Sequence, residues 1–360
     1  MVGVRSAVGK IPNGARSNRF NSTKVPFFPP VLLKKSHHLN YFDLRTPPRD
    51  LQRHLRALGG LDPDESIRSM EKPGEGNMNV VLRLRTDRRS LILKQSRPYV
   101  QKYQDLPAPL HRIEVERRFY AAATGPHLRA HLPQILAYAP DEHLLLMEDL
   151  GAASDLTTCY ATRTVPDELL QTLGRVLSEI HRSPAPADFP ENRALRELNH
   201  QHIFVLPFQE EGFQLDAVQP GLQELARHYR RTAALQQRVE LLGEAYLRAG
   251  DTLLHGDYYP GSWLRTERGV YVIDPEFSFV GFREYDLGVM AAHVFLATGT
   301  ADALTRTLAH YALDFDAARV RQMAGTEVVR RLIGLAQLPL ERTLAEKRAL
   351  LDQAKQWILQ

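Results

Sequence analysis

The 360-residue chain holds a single cysteine, Cys159, which excludes an intramolecular disulfide and a multi-cysteine zinc site. One thiol suits a reducing compartment, so a cytoplasmic location is the expectation. Long uncharged apolar runs are also missing. The most hydrophobic window, "VMAAHVFLATG" from Val289 to Gly299, is too short to span a bilayer and carries His293. It reads as a core helix. Acidic residues are absent from residues 1–42, which hold seven lysines and arginines. The remainder then has 39 basic and 42 acidic residues. The pI of about 9.1 therefore originates in the first 42 residues, and the body of the chain is slightly acidic. Neither a nucleic acid nor a membrane is an expected partner. No internal repeat is visible.

Residues 1–42 are rich in Gly, Pro, Asn and Ser and show no helical or strand period, which predicts a disordered basic tail. A targeting peptide, a tether or upstream non-functional sequence would have the same composition. With 43% hydrophobic residues, the rest can bury a full core, and its length suggests two lobes.

Tyr41 to Leu61 reads as a helix closed by Gly59-Gly60. Two alternating runs, Asn79–Arg85 and Ser90–Gln95, flank the turn "TDRR" and predict a hairpin preceded by a Gly-containing turn. His111 to Ala123 is an amphipathic helix, and strands follow around Gln134–Ala139 and His143–Glu148. Beyond Gly151 the texture turns helical, as in "PDELLQTLGRVLSEIHRS" and Gln223–Arg248. Short strands interrupt it near Leu253–Leu254, Ser262–Leu264 and Tyr271–Ile273, and helices resume at Asp286. The expected fold is α+β and two-lobed: residues 43–150 with a small mixed sheet, residues 151–360 mainly helical, and a junction near Glu148–Ala153.

The stretch "LHGDYYPGSWLRTERGVYVIDPEFSFVGFREYDLG" (Leu254–Gly288) sets Asp257, Asp274 and Glu276 beside strand-like apolar sequence. Buried carboxylates are costly without partners. Phosphoryl transfer from a nucleotide uses such a set: one carboxylate (Asp257) to accept a substrate proton, and others to hold Mg²⁺, a hard cation that takes oxygen ligands. Counterparts lie upstream. "GEGNMN" (Gly74–Asn79) would let backbone N–H groups approach phosphates. Lys94, at a strand end, would reach them as a point charge. Glu114 and Glu116 are both candidates to hold Lys94; Glu116 lies nearer the apolar helix face and is preferred. Backbone groups of Met147, Glu148 and Asp149 could meet a purine edge. Singly, each feature has a bland reading: a turn, a loop, a solvated strand end, a structural histidine at His255. Their ordered occurrence argues for phosphoryl transfer.

On these residues the sequence resembles the aminoglycoside phosphotransferase/choline kinase family, which has a protein-kinase-like two-lobed fold. That family's loop, His-Gly-Asp with an Asn five residues after the Asp, has Ser262 here, as in its 5-methylthioribose kinase subgroup. "GEGNMN", "LKQSRPYV", "DPEFSFVGFREYDLG" and "RRLIGLA" (Arg330–Ala336) are similar to that subgroup's motifs. The resemblance implies Asp257 as catalytic base and Asp274, Glu276 and Ser262 as Mg²⁺ ligands. It implies ATP contacts from Gly74, Gly76, Asn77, Asn79, Lys94, Glu116 and Met147–Asp149, and substrate contacts from Asp257, Arg330 and Arg331. Asp286 would brace the catalytic loop. The implied substrate is 5-methylthioribose, phosphorylated at its anomeric hydroxyl in methionine salvage, and a homodimer is implied. "YYP" (Tyr258–Pro260) and "FRE" (Phe282–Glu284) are bulkier or more charged than the subgroup pattern. The rivals are a same-fold kinase for another sugar, amino alcohol or aminoglycoside, and a non-catalytic nucleotide-binding regulator.

Overall fold

The computed structural model describes residues 40–74, 78–209, 214–338 and 340–360. The first helix, α1 (Pro48–Ala57), begins later than Tyr41 because Pro47 caps it and Pro48 occupies its first turn, where a missing N–H costs nothing. Five strands build the first sheet: β1 (Ile67–Glu71), β2 (Val80–Thr86), β3 (Ser90–Gln95), β6 (Ile135–Ala139) and β7 (Leu144–Glu148). Between them lie the small hairpin β4 (Tyr99–Val100) and β5 (Tyr103–Pro107), and helix α2 (Arg112–Ala122). The order is β1-β2-β3-β7-β6 and every pairing is antiparallel, so the small sheet is not mixed. β1, absent from the sequence reading, is an edge strand whose "IRSME" is mostly solvent-facing and polar, which hides the strand period.

Strand alternation decides what each face of this sheet meets. Leu91 and Leu93 on β3, with Leu144 and Leu146 on β7, pack against Leu51 and Leu55 of α1. Leu145 and Met147 face the other way, with Ile92, against Ile113 of α2. Lys94 is in step with Ile92 and pairs across the ladder with Leu145. Its side chain therefore goes to the α2 face.

The second half is mainly helical. Strand β8 (Ala153–Asp155) is followed by α3 (Cys159–Thr162), α4 (Asp167–Arg182), α5 (Arg193–His200), α6 (Leu222–Arg230) and α7 (Ala233–Leu247). A π-helical turn, Gln201–Val205, continues α5. Gln223–Arg248, read as one helical texture, is two helices broken at Arg231–Thr232. Next come β9 (Thr252–Leu254), β10 (Trp263–Thr266), β11 (Gly269–Val272) and β12 (Phe279–Gly281), then α8 (Glu284–Thr298), α9 (Ala303–Leu308), α10 (Ala317–Ile333) and α11 (Leu344–Leu359). β8, β10 and β11 form one antiparallel sheet, and β9 pairs with β12. Among the described residues no helix is long and apolar enough to cross a membrane. The window Val289–Gly299 covers the second part of α8 and the Gly299 that caps it; the helix is buried from Glu284 to Ala297.

Helices α8 and α10 approach closely at Gly288, the glycine of "YDLG". A Cβ there would lie 2.4 Å from Met323 Cβ and 3.0 Å from the Ala324 nitrogen. Gly288→Ala should lower the denaturation midpoint, because overpacking costs about 1–3 kcal/mol and exceeds what alanine gains in helix propensity, ~1 kcal/mol. An unchanged or raised midpoint in a urea titration would show that the helices yield.

Candidate active site

Two elements of the first lobe and one loop of the second meet at Lys94. Its Nζ lies 2.7 Å from Glu116 Oε2 on α2 and 2.6 Å from Asp274 Oδ1. Glu116 is on the same α2 face as Ile113, three residues earlier, so the helix turns it toward the sheet. Glu114 instead pairs with Arg117. Lys94 and Glu116 are sealed from solvent, while the Asp274 side chain is 48% exposed. Burial opposes the charge on Lys94, but Asp274 and Glu116 outweigh it and hold the ammonium well above its usual range. Burial pushes Glu116 upward, and Lys94 counters it.

Asp274 and Glu276 project from one turn. Asp274 has φ 63°, a left-handed conformation uncommon outside Gly, Asn and Asp, and it caps the single turn Pro275–Phe277. Glu276 Oε2 accepts from Asn79 Nδ2 at 2.9 Å and lies 3.2 Å from Arg112 Nε. Asn79, read in the sequence as a phosphate-loop residue, is thus buried on Glu276, with Ser96 Oγ donating to its Oδ1 at 3.0 Å. Arg112 also donates from Nη1 to the carbonyls of Arg97 and Pro109 and from Nη2 to that of Met78. Glu116, Asp274 and Glu276 together face two cations, Lys94 and Arg112; burial pushes Glu116 up to about 8 and raises Glu276 as well. Half-exposed Asp274 beside Glu276 is an oxygen donor pair that fits a hard divalent cation. Ser262 is buried one strand away, its carbonyl accepting from Ile273 N at 2.9 Å.

Asp286 organises the loop that carries Asp257. Its carboxylate accepts from His255 N at 2.7 Å and Gly256 N at 3.0 Å, and His181 Nε2 lies 3.2 Å away. Gly256 has φ +85°, and a Cβ would stand 2.2 Å from the Phe277 carbonyl oxygen; no other residue fits. His255 Nε2 donates to Ile273 O at 3.0 Å, and its Nδ1 accepts from Asp257 N at 3.3 Å. Burial holds the ring below its usual pKa, so His255 is a neutral spacer rather than an acid-base group. Burial also pushes Asp257 up to about 6, against the pull of Arg331 and Arg330. Arg331 Nη2 stands 3.8 Å from Asp257 Oδ1, and its guanidinium lies over the Tyr259 ring at 5.0 Å. Both arginines are tied to Glu327. Tyr258 turns the other way, its hydroxyl donating to Leu173 O at 2.9 Å.

The structure thus brings Lys94, Glu116, Asp274, Glu276 and Asn79 into one cluster, and Asp257, Arg330 and Arg331 into a second. Gly74 has open space where a Cβ would be; Gly76 and Asn77 lie outside the described residues. Met147 is paired within the sheet. The Glu148 N–H already donates to Gln134 O at 3.0 Å, so it is not free for a purine edge. Asp149 pairs with Arg83 at 2.8 Å, and Ser90 Oγ donates to it at 2.6 Å. Sequence reasoning missed Arg112, Ser96, Glu327 and His293. Arg112 and Glu327 had a visible signal: each stands four residues before a candidate, Glu116 and Arg331, on one helix face.

A family model described as "Phosphotransferase enzyme family" matches residues 69–323. A methylthioribose kinase of Exiguobacterium sibiricum is 27% identical over 265 residues, 69% of this chain and 66% of that protein. One from Pectobacterium carotovorum is 29% identical over 268 residues, 69% of this chain and 64% of the relative. The chain thus spans just under two thirds of the length of these curated relatives. Among solved structures, LicA in complex with AMP superposes with TM-score 0.51 at 14% identity, over 86% of this chain and 98% of LicA; that likeness carries the fold, a protein-kinase-like two-lobed α+β architecture. With the family model spanning β1 to mid-α10, the chain belongs to the phosphotransferase enzyme family.

Proposed function

We propose that the protein is an ATP- and Mg²⁺-dependent kinase that phosphorylates a hydroxyl of a small sugar-like molecule, 5-methylthioribose. The observation that carries the reading is Lys94, buried between Glu116 and a half-exposed Asp274, with Asp257 on the neighbouring loop. The substrate reading rests on the likeness to methylthioribose kinases and on Ser262 in place of the wider family's Asn. Residues 43–150 would hold the nucleotide, and residues 151–360 would supply the catalytic loop and the acceptor pocket.

In this scheme Lys94 donates to phosphate oxygens, released in part from Asp274. Asp257 accepts the proton of the acceptor hydroxyl as its oxygen forms a bond to the γ-phosphorus, and the bond to ADP breaks in line. Arg331 and Arg330 neutralise the transferred phosphoryl group. Asp274 and Glu276, with Ser262, would hold Mg²⁺, which would supply charge neutralisation for the nucleotide phosphates. Asp257 near pKa 6 suits a base working at neutral pH, since it stays ionised yet accepts a proton readily.

Purified protein with Mg-ATP should release ADP when 5-methylthioribose is added and little without it. Stimulation by another sugar or amino alcohol would keep the chemistry and replace the substrate; silence across such a panel, with ATP still bound, would overturn the kinase reading. Asp257→Asn should lower kcat by about 10²–10⁴-fold with nucleotide affinity nearly unchanged, and normal turnover would remove the base assignment. Asp257 is raised from 3.8 to about 6, and the working form is the ionised one. The wild-type rate should therefore fall tenfold per unit as pH drops below about 6; a flat profile down to pH 4.5 would contradict it.

A further inference from the structure

The transfer scheme leaves a buried polar chain behind the arginine pair without a role. It starts at Tyr160 on α3, whose hydroxyl is 2.6 Å from His293 Nδ1 on α8. His293 Nε2 is 3.1 Å from Glu327 Oε1 on α10. Glu327 then contacts both arginines: Arg331 Nε at 2.6 Å from Oε1, and Arg330 Nη1 at 3.1 and 3.0 Å from its two oxygens. All five side chains are at least nine-tenths buried.

Protonation in this chain follows from burial and geometry. Burial lowers His293 to about 4, so the ring is neutral and carries one N–H. That proton belongs on Nε2, facing the carboxylate, and Nδ1 accepts the Tyr160 hydroxyl proton. Burial alone would raise Glu327, but Arg330 and Arg331 outweigh it and hold the carboxyl well below its usual range. Glu327 is therefore fully charged and oriented by a neutral donor that brings no competing charge. One carboxylate cannot balance two guanidiniums. The surplus positive charge is turned toward Asp257, and 3.8 Å is too far for a hydrogen bond.

We propose that Glu327, oriented by His293 and Tyr160, is a positioning residue for phosphoryl transfer: it fixes Arg331 over Tyr259 beside Asp257. This rests on the kinase reading above. A purely structural tie between α8 and α10 would use the same hydrogen bonds but would affect only stability. A positioning role acts through Arg331, so removing both residues should cost no more activity than removing Arg331 alone.

The test is a double-mutant cycle on the full chain: wild type, Glu327→Gln, Arg331→Ala and the double variant, assayed for ADP release with 5-methylthioribose, or with the best acceptor of a sugar and amino-alcohol panel. Glu327→Gln should lower kcat/KM for the acceptor at least tenfold with ATP affinity within about twofold, and the double variant should match Arg331→Ala. Losses that multiply, or a Glu327→Gln enzyme with unchanged acceptor kinetics, would overturn the proposal. Should Glu327→Gln fail to fold, Tyr160→Phe removes only the terminal hydroxyl. It should give a several-fold loss in the same parameter, absent in an Arg331→Ala background, and wild-type kinetics in Tyr160→Phe would then count against the proposal. Wild-type protein without turnover on any acceptor would fail the kinase reading, and the positioning role with it.

Discussion

The arrangement depends on one buried ammonium. Lys94 lies between Glu116 of the first lobe and Asp274 of the second, at 2.7 and 2.6 Å. Removing Glu116, the fully buried partner, would cost about 3–5 kcal/mol, because it takes away the sealed half of the pair. The contact therefore fixes the sheet, α2 and the Asp274 turn relative to one another. Burial of Lys94, Glu116 and Glu276 makes the cluster costly in isolation, and phosphates with a divalent cation are the partners that would offset that cost.

A second constraint acts through Asp286. By accepting two successive backbone N–H groups, it sets the loop His255–Asp257 against the Phe277 carbonyl, where only glycine fits at position 256. The neutral His255 bridges this loop to Ile273, the residue before Asp274. Asp257 and the Asp274–Glu276 turn thus share one rigid support, which is how sites on loops keep a defined geometry. Glu327 plays the corresponding part for the arginines from α10.

Much of this was legible in the sequence because the signals were local and periodic. The β2–β3 hairpin, α2, and the strands around the Asp-Pro-Glu turn follow from alternation and helical spacing, and the choice of Glu116 over Glu114 follows from the helical angle alone. β1 was not legible, since an edge strand with polar faces carries no strand period. The small β8 strand was hidden likewise, because its pairing to β10 is made more than a hundred residues away. The engagement of Asn79 by Glu276, 197 residues on, depends on tertiary packing that no local pattern encodes. Arg112 and Glu327 show the converse: their spacing was visible, but spacing alone does not separate a buried tie from a solvated pair.

The central claim is that the Lys94–Glu116–Asp274–Glu276 cluster is a site for nucleotide phosphates and their cation. Calorimetric titration of ATP into wild-type protein and Asp274→Asn, each with and without Mg²⁺, tests it most directly. Asparagine keeps a neutral oxygen beside Lys94 at a half-exposed position, so the fold should persist. The account predicts that Mg²⁺ strengthens ATP binding at least tenfold in the wild type and that this gain disappears in the variant. Equal dependence on Mg²⁺ in both proteins would contradict it.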